Sequence, residues 1–286
     1  MSTEADIGSV QRELVGGSHF AYWTVGTGEP LIFMHGWPFH SATYHPIVPF
    51  FAEHFRCILI DSPGLGLTEW SEDSNFTFTG QVRTFETLFD RLGLDEYSII
   101  AHDTGATIAR MLCAENPRLR KFIILNTEIP GERPPWLPLY AKLMRLPGSK
   151  FMFRLLLRSQ RFLKSSMGFG ECYANVARIN EQFIAQYVRP LLDDPQRLEG
   201  VMRYLSIGLD FRLIDDLRRY HLRIRAPVHM IWGKADPTFP IEGARRMMED
   251  FRNFSGLTEI ERGKLLAHEE FPELVASAAL KFLRSS

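Results

Sequence analysis

Five short, almost unbroken apolar runs constrain this chain more than any other feature. They are Pro30–Met34, Arg56–Ile60, Tyr97–Ile100, Lys121–Leu125 and Val228–Trp232, each bounded by turn residues. Runs without polar alternation predict strands covered on both faces, the habit of a parallel sheet. Between them, helical spacing predicts helices over Phe78 to Leu92 and Ala106 to Asn116, with a last one over Pro272 to Leu283. Buried strands alternating with helices predict a doubly wound α/β domain with a mostly parallel sheet.

The alternation stops from about Ile129 to about Leu217. Pro130, Pro134, Pro135 and Pro138 open that stretch, and Leu, Phe and Met then recur at helical spacings. The expected organisation is a core over residues 1–128, an inserted α-helical cap over 129–217, and the rest of the core over 218–286.

Composition narrows the function classes. With 45% hydrophobic and 23% charged residues and a formal net charge of -1, there is no electrostatic case for nucleic acid or an anionic membrane. Basic residues between Arg145 and Lys164 alternate with Leu and Phe and read as a solvated helix face. Cys57, Cys113 and Cys172 form no Cys-x-x-Cys pair, as expected of free thiols in a reducing compartment. The polar, acidic N-terminal residues do not resemble a secretory signal, and no apolar run reaches membrane-spanning length. A cytoplasmic location is the expectation.

The chemistry concentrates in loops expected at the carboxyl ends of the strands, where open α/β sheets bind ligands. Ile99-Ile100-Ala101-His102-Asp103-Thr104-Gly105-Ala106 reads as a strand entering a sharp turn, with Asp103 at the apex and Ala101 and Gly105 in small-residue positions. A carboxylate there suits displacement at an sp³ carbon better than acyl transfer. His35-Gly36-Trp37-Pro38 follows an earlier strand, and Trp37 and Thr104 are candidate amide donors for an oxyanion hole. Asp61-Ser62-Pro63-Gly64-Leu65-Gly66 lacks the Lys-Ser/Thr of a phosphate loop and reads as a structural turn. Downstream, Asp236 follows a strand and His268 precedes the last helix, giving the order nucleophile, acid, histidine.

As a set, these motifs resemble the α/β-hydrolase superfamily, in the branch of epoxide hydrolases and haloalkane dehalogenases that carry an aspartate nucleophile. The resemblance implies a covalent alkyl ester on Asp103, hydrolysed by water that His268 activates while Asp236 orients it. Some members take the acid from the end of the strand after the elbow helix, which leaves Glu128 as an alternative. Epoxide hydrolases use cap tyrosines on the ring oxygen, which implies Tyr204 as catalytic, with Tyr140 and Tyr173 as further candidates. Dehalogenases use indole N–H donors, for which Trp37 and Trp136 are the candidates. Thr104, where such enzymes carry Trp or Arg, moves the expectation toward epoxides. His35, Trp37, Trp136, Tyr140 and Tyr173 are the expected substrate-binding residues. Expected partners are a small apolar organic substrate and water, without cofactor, metal, nucleic acid or membrane, and a homodimer is left open. A haloalkane dehalogenase and a non-catalytic ligand-binding protein of the same fold are the alternatives.

Overall fold

The computed structural model describes residues 7–134 and 137–285. The described residues form a nine-stranded sheet in the order β1-β2-β4-β3-β6-β7-β8-β9, with β5 paired to β2. The strands are β1 (Gln11–Val15), β2 (Ser18–Val25), β3 (Glu29–Met34), β4 (Phe55–Ile60), β5 (Glu69–Trp70), β6 (Tyr97–Ala101), β7 (Leu119–Ile124), β8 (Val228–Gly233) and β9 (Phe254–Ile260). β1 and β2 run antiparallel at one edge, and all pairings from β4 through β9 are parallel. Every one of the five apolar runs is a strand. The other four strands, β1, β2, β5 and β9, carry no continuous buried apolar run, and β1 and β9 are edge strands only half covered.

Alternation along Leu31–Met34 of β3 shows why that stretch is apolar throughout. Ile32 and Met34 pack on one face with Phe85 and Leu88 of α2 (Phe78–Arg91) and Ile108 of α3 (Asp103–Leu112). Leu31 and Phe33 pack on the other, with Phe51 of α1 (Val48–Ala52) and Val275 of the terminal helix Pro272–Leu283. Both faces are buried, so no polar position is tolerated.

Between β7 and β8 the described residues form helices without a strand. These are α4 (Leu137–Leu143), α5 (Ser149–Leu157), α6 (Gln160–Leu163), α7 (Glu181–Phe183), α8 (Arg189–Asp193), α9 (Pro195–Arg203), α10 (Phe211–Asp215) and α11 (Arg218–His221). α9 starts with proline in its first turn, and the Asp194 side chain accepts from the Gln196 and Arg197 amides as its N-cap. After β8 come α12 (Ile241–Met247), the short turn α13 (Ala267–Glu270) and α14 (Pro272–Leu283).

β3 has β4 on one side and β6 on the other. The chain therefore leaves β3 and β6 in opposite directions and opens a crevice at their carboxyl ends. His35–Pro38 and Asp103 sit at the rim of that crevice.

Candidate active site

Asp103 occupies the turn between β6 and α3 with φ of 51°, a left-handed conformation uncommon for a side-chain-bearing residue. The turn is as tight as its small residues imply. A Cβ on Gly105 would overlap the carbonyl oxygens of His35 and Met34, and one on Gly36 would overlap the Asp103 side chain. The turn is pinned by its backbone: the Asp103 amide donates to Asn126 O (2.8 Å), and Thr127 Oγ1 donates to Asp103 O (2.8 Å).

The two oxygens of the Asp103 carboxyl have different surroundings. Oδ1 accepts from the Trp37 amide at 3.1 Å and the Thr104 amide at 2.5 Å. Oδ2 has no hydrogen-bond partner among the described residues. Asp103 lines a cavity of about 110 Å³, otherwise walled largely by apolar side chains that include Trp37, Tyr140, Phe153, Phe169 and Leu265. An apolar cavity of about 150 Å³ holds benzene, so this one suits a small organic molecule. Burial pushes the Asp103 carboxyl well above the usual carboxylate range, and the neighbouring Glu128 charge pushes the same way. The Thr104 and Trp37 amides and the Thr104 hydroxyl oppose both.

Glu128 shares the cavity wall. Its Oε2 accepts from the Thr107 hydroxyl (2.7 Å) and lies 2.8 Å from the Thr127 hydroxyl oxygen, while Oε1 has no hydrogen-bond partner among the described residues. Behind it lies the fully buried Arg110, whose Nη2 donates to both threonines (2.7 and 2.9 Å) and stands 3.8 Å from Oε2. Arg110 Nη1 also donates to the Glu128 carbonyl at 2.9 Å. β7 ends at Ile124, so the alternation of faces along a strand does not fix the direction of Glu128, and its side chain lines the cavity.

His268 is the largest departure from expectation. Its Nε2 is 2.7 Å from Thr43 Oγ1, and its ring packs on Tyr44 and His102 at centroid distances of 5.2 and 4.7 Å. Among the described residues it makes no hydrogen bond or ion pair with Asp103 or Asp236. The loop ahead of α13 presents Leu265 to the cavity, and the helical turn that follows carries His268 behind it, against the segment Ser41–Tyr44. Burial holds the His268 ring well below the usual imidazole range. Asp236 is likewise engaged elsewhere. Its Oδ2 accepts from Asn126 Nδ2 (2.7 Å) and its Oδ1 from the Thr238 amide (2.8 Å), and burial raises its carboxyl to about 7.

The other candidate residues divide. Tyr140 lines the cavity. The buried Tyr204 hydroxyl donates to Thr104 Oγ1 at 3.3 Å, but Tyr204 is not part of the cavity wall. Tyr173 is turned away, since its hydroxyl donates to Glu269 in a separate groove that it shares with Tyr187. His35 is a structural residue outside the cavity wall. Its Nε2 accepts from the Ser62 amide (2.9 Å), and burial lowers its ring to about 4. The Trp37 indole lines the cavity but donates its N–H to Val201 O at 2.8 Å. Trp136 lies outside the described residues.

Comparison with known proteins now bears on this geometry. Residues 29–263 match the family model described as alpha/beta hydrolase fold. The chain belongs to that family. Among relatives of this alpha/beta hydrolase, a pimeloyl-[acyl-carrier protein] methyl ester esterase of Legionella pneumophila (strain Lens) is 24% identical over 80% of this chain and 84% of its own. A haloalkane dehalogenase 2 of Mycobacterium bovis is 25% identical over 91% of this chain and 90% of its own. The solved structure of a ligand-free epoxide hydrolase, CorEH, superposes with a TM-score of 0.80 at 23% identity, covering 96% of this chain and 98% of that one. These relatives differ in named activity, so they fix the hydrolase fold and leave the substrate to the site.

Two site residues of this alpha/beta hydrolase carried no obvious signal. Asn126 ties the β7 end to β8, accepting from the Gly233 amide (2.7 Å) and donating to Asp236. Arg110 was readable only as spacing: Asp103, Thr107 and Arg110 stand at i, i+4 and i+7, one face of α3.

Proposed function

We propose that this alpha/beta hydrolase opens small epoxides through a covalent ester on Asp103 and releases a diol. The observation that carries this reading is the asymmetry of the Asp103 carboxyl, with Oδ1 anchored by two amides and Oδ2 unpartnered in an apolar cavity. Oδ2 attacks a ring carbon, the C–O bond opens, and the ring oxygen takes the proton of Tyr140, the tyrosine in the cavity wall. Tyr204 positions Thr104 through its hydroxyl. Water then adds to Cγ of the ester as Glu128 takes one of its protons, and the oxyanion rests on the Trp37 and Thr104 amides. Collapse expels the alcohol oxygen, which recovers the proton from Glu128. The proton left on Asp103 returns through solvent to the tyrosinate, so epoxide and water give the diol.

Halide displacement by the same carboxylate is less well supported. Of the two candidate indole donors for a departing halide, that of Trp37 is committed to Val201 O.

A single turnover of excess enzyme with 1,2-epoxybutane in ¹⁸O-water tests the reading. The first diol should be unlabelled, with ¹⁸O on the peptide that contains Asp103. Label in the first diol would mean direct attack by water. Ligand binding with neither ester nor diol would leave only a binding role.

The pH profile follows from burial. The nucleophile is the carboxylate, and its folded-state pKa is raised, so ester formation is lost as pH falls through that raised value. The midpoint of alkylation rate against pH, read by mass spectrometry, should lie clearly above the ordinary value of about 4. A midpoint at or below that value would contradict the site's electrostatics.

A further inference from the structure

We infer that the outer side of α4 to α6 docks on an anionic membrane surface. Residues 137–170 contain seven Lys or Arg and no Asp or Glu. The rest of the chain, with 34 acidic against 26 basic side chains, carries -8. The same segment exposes Leu139, Leu143, Leu146, Phe151, Met152 and Leu155, and Phe151 is 74% exposed. Solvation alone does not account for so many bare apolar side chains among the cations. Their spacing is helical. Leu139 and Leu143 stand at i, i+4 on α4, and Phe151 and Leu155 do so on α5.

The inner sides of these helices are already occupied. Leu137, Tyr140, Phe153, Leu157 and Phe162 line the cavity, so the exposed set forms its outer roof. Lys142, Arg158, Arg161 and Lys164 have no acidic partner among the described residues. Apolar side chains flanked by unpaired cations are what an interfacial helix presents to anionic lipid. A second copy of the chain is the poorer occupant, because joining two such faces brings like charges together. The opposite sign of the remaining chain orients the body away from the lipid. This departs from the solvated-face reading of the sequence, which rested on the basic residues alternating with Leu and Phe and did not distinguish the apolar side chains that stay exposed.

Co-sedimentation of the full chain with vesicles tests the assignment. Binding is expected to vesicles of equal parts phosphatidylcholine and phosphatidylglycerol, weakened about tenfold or more by phosphatidylcholine alone or by about 0.5 M NaCl. Phe151→Glu with Leu155→Glu, and separately Arg158→Glu with Arg161→Glu, should each reduce binding by a similar factor. All four side chains point away from the cavity, so turnover of a water-soluble epoxide should persist and report intact folding. No binding to anionic vesicles, or equal and salt-insensitive binding to both compositions, would overturn the assignment. So would a wild-type dimer that Phe151→Glu dissociates in sedimentation velocity, since the occupant would then be a second copy.

Discussion

Asp103→Asn is expected to lose turnover by on the order of 10⁴-fold or more and to unfold at a higher temperature than the wild type. The loss follows from the carboxylate itself: an amide has no anionic oxygen to displace a ring oxygen from carbon. The gain has one source in the structure, and two further features let asparagine keep it. Asparagine removes a charge from an apolar cavity, and with it the repulsion from Glu128. Its side-chain oxygen can still accept from the Trp37 and Thr104 amides. The backbone at this position has a positive φ, which asparagine tolerates better than most residues. Together these should be worth about 1 kcal/mol, a shift of a few degrees for a chain of this size. Turnover with epoxides and a thermal melt check the two halves. A variant that is inactive and less stable would mean that the Asp103 charge is compensated in the resting site. Retained turnover would remove Asp103 from the chemistry.

Residues that serve only the fold obey local rules, and those rules were readable. The apolar runs became β3, β4, β6, β7 and β8 because each must be dry on both faces, and Gly105 marked a collision of strand and helix. Residues around the chemistry were readable only as far as local geometry fixes them. Trp37 was placed near Asp103 by its loop, but its amide and its indole go to different partners, Asp103 and Val201. His268 depended on which residue of Leu265-Leu266-Ala267-His268 would meet the cavity. That is decided by where α13 begins and by which side chain fits the cavity wall, neither of which is written in the segment itself. Glu128 lies four residues past the end of β7, beyond the reach of a strand's alternation, so local pattern does not fix its facing. Arg110, which organises the threonines around Glu128, acts entirely through tertiary contacts.

The displacement of His268 makes a second large effect testable. Glu128→Gln should let the ester on Asp103 form and then persist, with hydrolysis slowed at least about 100-fold, the usual span of a general base. The physical reason lies in what alkylation does to the cavity. Before it, two carboxyls compete for charge in an apolar space, and Asp103 is pushed up by Glu128. Once Asp103 is an ester it is neutral and the repulsion is gone; of the two other carboxylates in the wall, Glu171 is paired with Lys264, and Glu128 keeps Oε1 unpartnered. Glutamine keeps the volume and an acceptor for Thr107 and Thr127 but cannot take a proton from water. It also leaves Arg110 without its counter-charge, so Glu128→Asp serves as the companion variant. Aspartate keeps the charge, withdraws the carboxylate by one methylene, and should accumulate ester partially. A further sign separates chemistry from scaffolding. Removing the Glu128 charge lowers the Asp103 pKa, so the alkylation midpoint in Glu128→Gln should move to lower pH. His268→Gln should discharge ester at nearly the wild-type rate, because His268 contacts Thr43 and neither site carboxyl. Ester that accumulates in His268→Gln and not in Glu128→Gln would return the base to the histidine and require α13 to rearrange. Ester absent from every variant while diol still forms would instead remove the covalent intermediate, and Glu128 would then act on water attacking the ring directly.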